Sequence, residues 1–497
     1  MYDVTKLRTY FPATTVYKDP AIMATFRSAG IPAFLRDWIL KRKAGPDGHI
    51  DDPSELSNYV ASIIPHREEK GRLEDEARTD GETRKFLARI GIRFDSRSNY
   101  YTFEIPDLGF THGQTLIEDY IWDRVKEDLI GAAGGWGLVK IGYIPPEGKK
   151  KNGKFTLLDY KNFCPYEVDL DSFREARSYF EADEWMDIIL GAIDYNPDGY
   201  CGVDEAKDSY EVWEAKHTML TRLLPFIEPR INLVELAPKG TGKSYLFGRV
   251  GKYGWLASGG TLTRAKLFYD VAARQPGLIV SSDFVAMDEI QSIRFDDPSE
   301  MQGALKGYLE SGEATFGKNK IIGKAGVILL GNIPRLDMDA SKDMFKTLPE
   351  VFHESALLDR FHGFIQGHKI PRLTEIMKIN GWALNTEYFT EIMHLLRAQS
   401  ESLRYRSIVE ELVWYPSDAD TRDTEAVLRV CTAYLKLFFP HAADRAVTEQ
   451  THFRQEFNRY CLRPARLMRD IIRKQLRVID PAEFGSKNIA TYKLRGE

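Results

Sequence analysis

The spacing of apolar and polar positions changes along the chain, and the changes divide it. In "DPAIMATFRSAGIPAFLRDWILKRK" the apolar residues cluster as they do on helices, which predicts helical structure near the N-terminus. The stretches "NYYTFEIPDLGF" and "WGLVKIGYIPP" then alternate and are rich in aromatic and β-branched residues, which predicts strands. Two strand-like runs flank "PPEGKKKNGK", a stretch that can continue neither, so a hairpin is expected between Trp136 and Leu158. From about His217 to Arg372 strand and helix signals alternate, as in a parallel α/β sheet. Everything after Leu373 reads as helices, clearest in "EYFTEIMHLLRAQSESLRYRSIVEELVW" and "RPARLMRDIIRKQLRVID". The expected regions are therefore 1–216, helical and then β-rich, followed by 217–372 and 373–497. The sequence contains no internal repeat.

Composition narrows this picture. A chain of 497 residues exceeds one ordinary core, and domains of roughly 100 to 200 residues imply two to four of them. The net charge of −5 gives no overall basic field, so any nucleic-acid surface must be built from local Lys/Arg clusters. Cys164, Cys201, Cys431 and Cys461 lie far apart without metal-ligand spacing, as expected of reduced thiols in a cytosolic protein. The N-terminus lacks an apolar core of signal-peptide length, and no uncharged apolar run is long enough to cross a bilayer. The expected location is the cytoplasm, with no membrane partner.

The densest chemical signal is "LVELAPKGTGKSYLF", Leu233 to Phe247. An apolar strand feeds the loop Pro238-Lys239-Gly240-Thr241-Gly242-Lys243-Ser244, and a helix begins where the loop ends. In such a loop glycines let backbone N–H groups close around phosphate, the lysine reaches the β/γ-phosphates, and the serine hydroxyl ligates Mg²⁺. Ala237 stands where the usual pattern has its first glycine. An accidental Gly-Lys-Ser turn is the bland alternative, and the strand-turn-helix context counts against it. "DFVAMDEIQSI" adds a buried strand ending in Asp288 and Glu289. Asp288 would complete the Mg²⁺ environment and Glu289 would deprotonate the attacking water. "AGVILLGNIP" ends a further strand in Asn332, whose amide could bond that water or the γ-phosphate, or could merely form a turn before Pro334. "SALLDRFHGFIQG" supplies Arg360, either a surface ion-pair partner or a finger for a neighbouring subunit's nucleotide.

The ordered set "LAPKGTGKS", "VAMDEI", "LLGN" and "LLDRFHGF" resembles the AAA+ ATPases. "NLVELAPKGTGKSY", "SGGTLTRAKLFYD" and "ALLDRFHGFIQGHKIP" resemble, more closely, the BrxL family of Lon-like proteins from BREX phage-defence systems. This likeness covers most of the chain. It implies an α/β fold: an AAA+ P-loop ATPase core, a mixed α+β N-terminal domain that binds nucleic acid, and a C-terminal helical lid. It also implies ATP and Mg²⁺ as cofactors, with DNA, further BREX components and copies of the same chain, in a hexamer-like or stacked ring, as partners. Lys243 and Ser244 match the Walker A pair, Asp288 and Glu289 Walker B, Asn332 sensor 1, and Arg360 the arginine finger. "RPARLMRDII" resembles the sensor 2 helix, with Arg466 the first candidate and Arg463 and Arg469 its competitors. Longer members of the family carry a Lon-protease-like domain, whereas here only Val478 to Glu497 follow the last basic helix. So short a segment cannot position a Ser-Lys dyad, and proteolysis is not expected.

DNA contacts must then come from local charge. "ESGEATFGKNKIIGKAG" offers Lys318, Lys320 and Lys324 where helicase-like AAA+ proteins carry a pore hairpin, although a solvated Lys-rich turn would look the same. Lys149, Lys150, Lys151 and Lys154 form a second cluster suited to phosphates. The helix Arg463 to Arg477 is a third, with a solvated basic lid face as its alternative. Two functions compete: a ring-forming DNA motor, and a protein-remodelling AAA+ unfoldase or a Lon-type ATPase without its protease.

Overall fold

The computed structural model describes the chain except residues 1, 96–98, 132–134, 147–152, 202–207, 272–274, 317, 487 and 497, and except the side chains of 130 and 131. The fold is mixed α/β, and its contacts separate two units. Unit 1 comprises Met1–Lys41, Val168–Phe268 and Leu278–Glu497; unit 2 comprises Arg42–Glu167 and Tyr269–Gly277.

Unit 1 is built on five parallel strands, β1 (Leu233–Ala237), β2 (Gly254–Ser258), β3 (Phe284–Asp288), β4 (Gly326–Asn332) and β5 (Gly363–Phe364), in the order β5-β1-β4-β3-β2. β1, β3 and β4 are buried almost end to end, so they read as continuous apolar runs and not as alternating ones. From β1 the chain crosses to the far edge at β2, returns through β3 and β4, and then passes to β5 on the other side of β1. This reversal creates a switch point beside the C-terminal end of β1, where open parallel sheets bind ligands.

Helices of unit 1 used below are α1 (Ala33–Lys43, whose last two residues pass into unit 2), α2 (Ala182–Ala192), α3 (Pro298–Ser311), α4 (Thr421–Phe438) and α5 (Arg463–Ile479). The region after Leu373 is not wholly helical. Gly381–Leu384 forms a strand that pairs antiparallel with Thr15–Lys18, in the register Thr15 to Leu384 through Lys18 to Gly381. Local spacing cannot reveal a partner at the opposite end of the chain. The basic stripe of α5 also differs from a solvated face. Arg469 and Arg473 are buried, and they pair with Asp359 and Asp423.

Unit 2 has a four-stranded sheet in which Phe86–Arg89, Trp136–Ile144, Lys154–Asn162 and Thr115–Leu116 are neighbours in that order. Trp136–Ile144 and Lys154–Asn162 pair antiparallel with a bulge at Lys140/Ile141. Phe86, Phe103, Ile141 and Leu157 lie at the centre of its core, and Tyr101 stacks on Trp122 with ring centroids 3.6 Å apart. Residues 269–277 belong here as well: Tyr269–Asp270 pairs with Gln275–Pro276, and Gln275 Nε2 donates to the Ile92 carbonyl at 2.8 Å. Among the described residues no helix is long and apolar enough to cross a membrane.

Candidate nucleotide site

The loop after β1 turns on two glycines with left-handed backbone, Gly240 at φ +85° and Gly242 at φ +82°. A Cβ on Gly242 would come 2.4 Å from the Tyr195 hydroxyl, and one on Gly240 would come 3.2 Å from the Arg372 side chain. Conformation favours glycine at both positions, and at Gly242 space demands it as well. The helix then starts at Lys243–Tyr245 and continues as a π-helical turn, Leu246–Val250. Its first amides face the loop, the arrangement that favours an anion.

Four of the candidate side chains meet at the switch point. Lys243 Nζ donates to Asn332 Oδ1 at 3.0 Å, and the Ser244 hydroxyl donates to Asp288 Oδ2. Burial is the largest influence on Lys243 and holds its ammonium below the usual lysine range, with Arg222 acting the same way and Glu235 and Asp288 opposing. Beside them Glu289 is exposed and has φ +49° and ψ +48°, a left-handed backbone on a non-glycine residue. Its amide donates to Asp288 Oδ1 at 2.9 Å, and its carbonyl accepts from the Ser292 hydroxyl at 2.8 Å. The turn is thus fixed on both sides of the strained residue.

A buried ion pair braces the loop from beneath. Glu235 lies fully buried within apolar β1 and accepts from Arg222, Nε to Oε2 at 2.9 Å and Nη2 to Oε1 at 2.5 Å. Arg222 also donates to the Thr241 carbonyl at 2.5 Å and to the Thr241 hydroxyl at 2.9 Å. Burial alone would depress this guanidinium, and Glu235 together with Tyr195 and Tyr200 more than offsets it, so its net shift is upward. The segment after β5 closes over the loop, with the Leu373 amide donating to the Gly240 carbonyl at 3.0 Å. Arg222, Glu235, Tyr195 and Arg372 were invisible as site residues in sequence, because only the fold brings them to the loop. A glutamate inside the apolar run "LVELA" was the one local hint.

Arg360 keeps different company. Its Nε lies 2.7 Å from Glu310 Oε2 on α3, and its Nη1 donates to the Ala356 carbonyl. Arg469 holds the same turn, donating to the carbonyls of Asp359 at 2.9 Å and Phe361 at 2.7 Å, one on each side of Arg360. Arg463 lies over the Tyr210 ring at 5.6 Å, and Arg466 is half-buried on α5. Among the described residues no hydrogen bond or ion pair joins Arg360 or Arg466 to the set around Lys243.

The lysine clusters fall in both units. Glu313–Phe316 and Asn319–Ile322 form an antiparallel hairpin in unit 1, on and after which Lys318, Lys320 and Lys324 are exposed; Lys320 pairs with Glu313 at 2.8 Å. In unit 2, Lys154 opens its strand and donates to the Gly113 carbonyl, while Lys149, Lys150 and Lys151 lie outside the described residues.

The set around Lys243 suits a phosphorylated ligand and a divalent cation. Lysine, a loop of turned amides, and a hydroxyl hydrogen-bonded to a carboxylate provide donors for phosphate oxygens and hard oxygen ligands for Mg²⁺. Comparison with known proteins agrees with a nucleotide-hydrolysing domain. A family model described as "Lon-like protease BrxL-like, ATPase domain" matches residues 155–490, and one described as "BREX system Lon protease-like protein BrxL N-terminal" matches 9–143. A curated protein named Lon-like protease BrxL from Escherichia coli O9:H4 (strain HS) is 26% identical over 496 residues, spanning 98% of this chain and 67% of that protein. A protein of the same name from Bacillus cereus (strain H3081.97) is 26% identical over 495 residues, spanning 98% of this chain and 68% of its own.

Proposed function

This chain belongs to the BrxL family of Lon-like proteins, with an ATPase domain over residues 155–490, and from that premise we propose that it is a ring-forming AAA+ ATPase acting on DNA in BREX phage defence. The convergence of Lys243, Ser244, Asp288 and Asn332 at the switch point of the parallel sheet is the observation that carries the reading.

In this reading Lys243 and the amides of residues 239–244 hold the β- and γ-phosphates of ATP. Ser244 and Asp288 would hold Mg²⁺, whose chemistry there would be neutralisation of charge on the transferred phosphoryl group. Asn332 orients the attacking water, and Glu289, exposed beside Asp288, takes its proton. Arg360 serves the site of an adjacent subunit, which supports a head-to-tail contact that closes into a ring. The exposed lysines of the 313–322 hairpin and Lys324 support phosphate-backbone contacts within such a ring.

A second reading has one observation in its favour. Ile322, on the same hairpin, is 64% exposed, as an apolar side chain that grips peptide would be. Pull-down with single- and double-stranded DNA, with and without ATP, separates the two. ATP-dependent retention on either DNA is expected; ATP hydrolysis with no DNA retention would transfer the assignment to protein remodelling.

A further inference from the structure

Behind the phosphate loop lies a group of charges that the proposed chemistry does not use. Lys18, Arg36, Asp37 and Asp194 are each less than 10% exposed, two cations against two anions. Asp194 Oδ1 accepts from Lys18 Nζ at 2.8 Å and from Arg36 Nη2 at 2.7 Å; its Oδ2 accepts from Arg36 Nη1 at 2.9 Å and from the Tyr245 hydroxyl. Asp37 Oδ1 accepts from Arg36 Nε at 2.8 Å, and Asp37 Oδ2 accepts from the amide and hydroxyl of Thr386 at 2.9 and 2.7 Å. Lys18 Nζ also donates to the carbonyls of Gly191 and Ala192, the last two residues of α2, at 3.0 Å each. Asp194 itself has φ +76°, a positive φ uncommon outside glycine, though aspartate tolerates it better than most residues.

Tyr245 directly follows Ser244, and Tyr195 directly follows Asp194. The Tyr195 hydroxyl is the atom a Cβ on Gly242 would meet at 2.4 Å, and it is buried without a hydrogen-bond partner among the described residues. Residues 194 and 195 therefore touch the loop at Gly242 and the helix that follows it at Tyr245, on either side of Lys243 and Ser244. Burying four charges adds little net stability even when they are fully paired, whereas a complete network specifies one arrangement of its members.

We propose that Asp194 is a positioning residue for nucleotide binding: through Tyr245 it sets the helix that carries Lys243 and Ser244, and through Arg36 and Lys18 it ties that helix to the N-terminal segment of unit 1. The inference rests on the nucleotide reading of the loop. It assigns the first stretch of unit 1, which carries Lys18 and Arg36, to the working of the ATPase, apart from unit 2, which it precedes in sequence.

The test uses the full chain, a fluorescent ATP analogue with Mg²⁺, and the variants Tyr245→Phe and Asp194→Asn. Tyr245→Phe removes one hydroxyl and strands no charge. It is expected to raise the Kd for the analogue about 3- to 10-fold, the worth of one ordinary hydrogen bond whose acceptor keeps its bond from Arg36, while hydrolysis at saturating ATP stays within about twofold. Where Asp194→Asn folds, combining it with Tyr245→Phe should weaken binding by less than the product of the two separate effects. Tyr245→Phe with wild-type affinity but a lowered unfolding midpoint would make the network purely structural and overturn the proposal. A wild-type chain that binds none of the analogue overturns the nucleotide reading and this inference together.

Discussion

Glu289 holds a left-handed backbone at the end of a buried strand, a conformation that costs a non-glycine residue on the order of 1–3 kcal/mol and persists only where the surroundings impose it. Here Asp288 and Ser292 impose it, and the outcome is a carboxylate carried past the strand end into solvent. Glu289→Gln is expected to keep nucleotide affinity and lose about 10²- to 10⁴-fold in hydrolysis, as single-turnover assays would show. Hydrolysis at the wild-type rate would remove Glu289 from the mechanism. His217 gives a pH dependence. Its ring stacks between Trp213 and Phe438, its Nε2 meets the Tyr460 carbonyl at 2.9 Å, and burial lowers its pKa from 6.5 to about 4. Above pH 6.5 neither folded nor unfolded chain protonates it; between 6.5 and 4 the unfolded chain takes the proton first, so stability falls as pH falls through that window. His441 and His362 act in the same direction, whereas Glu387, raised to about 7 mainly by burial, opposes them. Denaturant titrations at pH 7, 6 and 5 should show His217→Gln flattening the slope by up to one proton, about 1.4 kcal/mol per pH unit. At this scale the sequence was informative where chemistry is contiguous. Residues 238–244 and the pair Asp288-Glu289 stood out because a phosphate loop and a strand end each need neighbours in sequence. Arg222 and Asp194 did not, since their partners are Glu235 and Thr241, and Arg36 and Tyr245.

Among elements, β1, β3 and β4 were readable because burial over nearly their whole length leaves an apolar run, interrupted in β1 only by Glu235. The strand Gly381–Leu384 was not, because four residues repeat a strand period only twice, too briefly to stand out, and their partner is Thr15–Lys18. α5 shows the opposite failure. Its arginines recur at helical spacing and suggest one wet face, yet Asp359, Asp420 and Asp423 draw Arg469 and Arg473 inward. A basic period in sequence cannot reveal acids that arrive from other elements. The hairpin Glu313–Ile322 keeps Lys318 and Lys320 exposed, with Lys324 just beyond it. Replacing Lys318, Lys320 and Lys324 with Ala should weaken DNA binding and reduce the slope of log K against log salt by roughly 0.9 for each duplex phosphate that is no longer neutralised. Binding isotherms at several salt concentrations decide this, and an unchanged slope would place the DNA site elsewhere.

At the scale of the whole molecule, Arg360 and the Lys243 set lie in one chain without bonding each other. If a ring pairs them between subunits, Arg360→Ala should bind ATP normally and hydrolyse it slowly. Mixing it with Lys243→Ala subunits should restore part of the rate, because some interfaces then hold one intact site facing one intact finger. Mixed samples no faster than the average of the separate variants would exclude a shared site. The division of the chain into units also bears on how it is made. Unit 1 is assembled from three separated stretches, and the first of them carries Lys18 and Arg36. Arg36 is 158 residues ahead of Asp194, and Asp37 is 349 ahead of Thr386. At translation rates of about 5–20 residues per second, the first interval lasts roughly 8–32 s. During that time the leading segment leaves the ribosome with its cations still in water, and its burial must wait for partners synthesised much later.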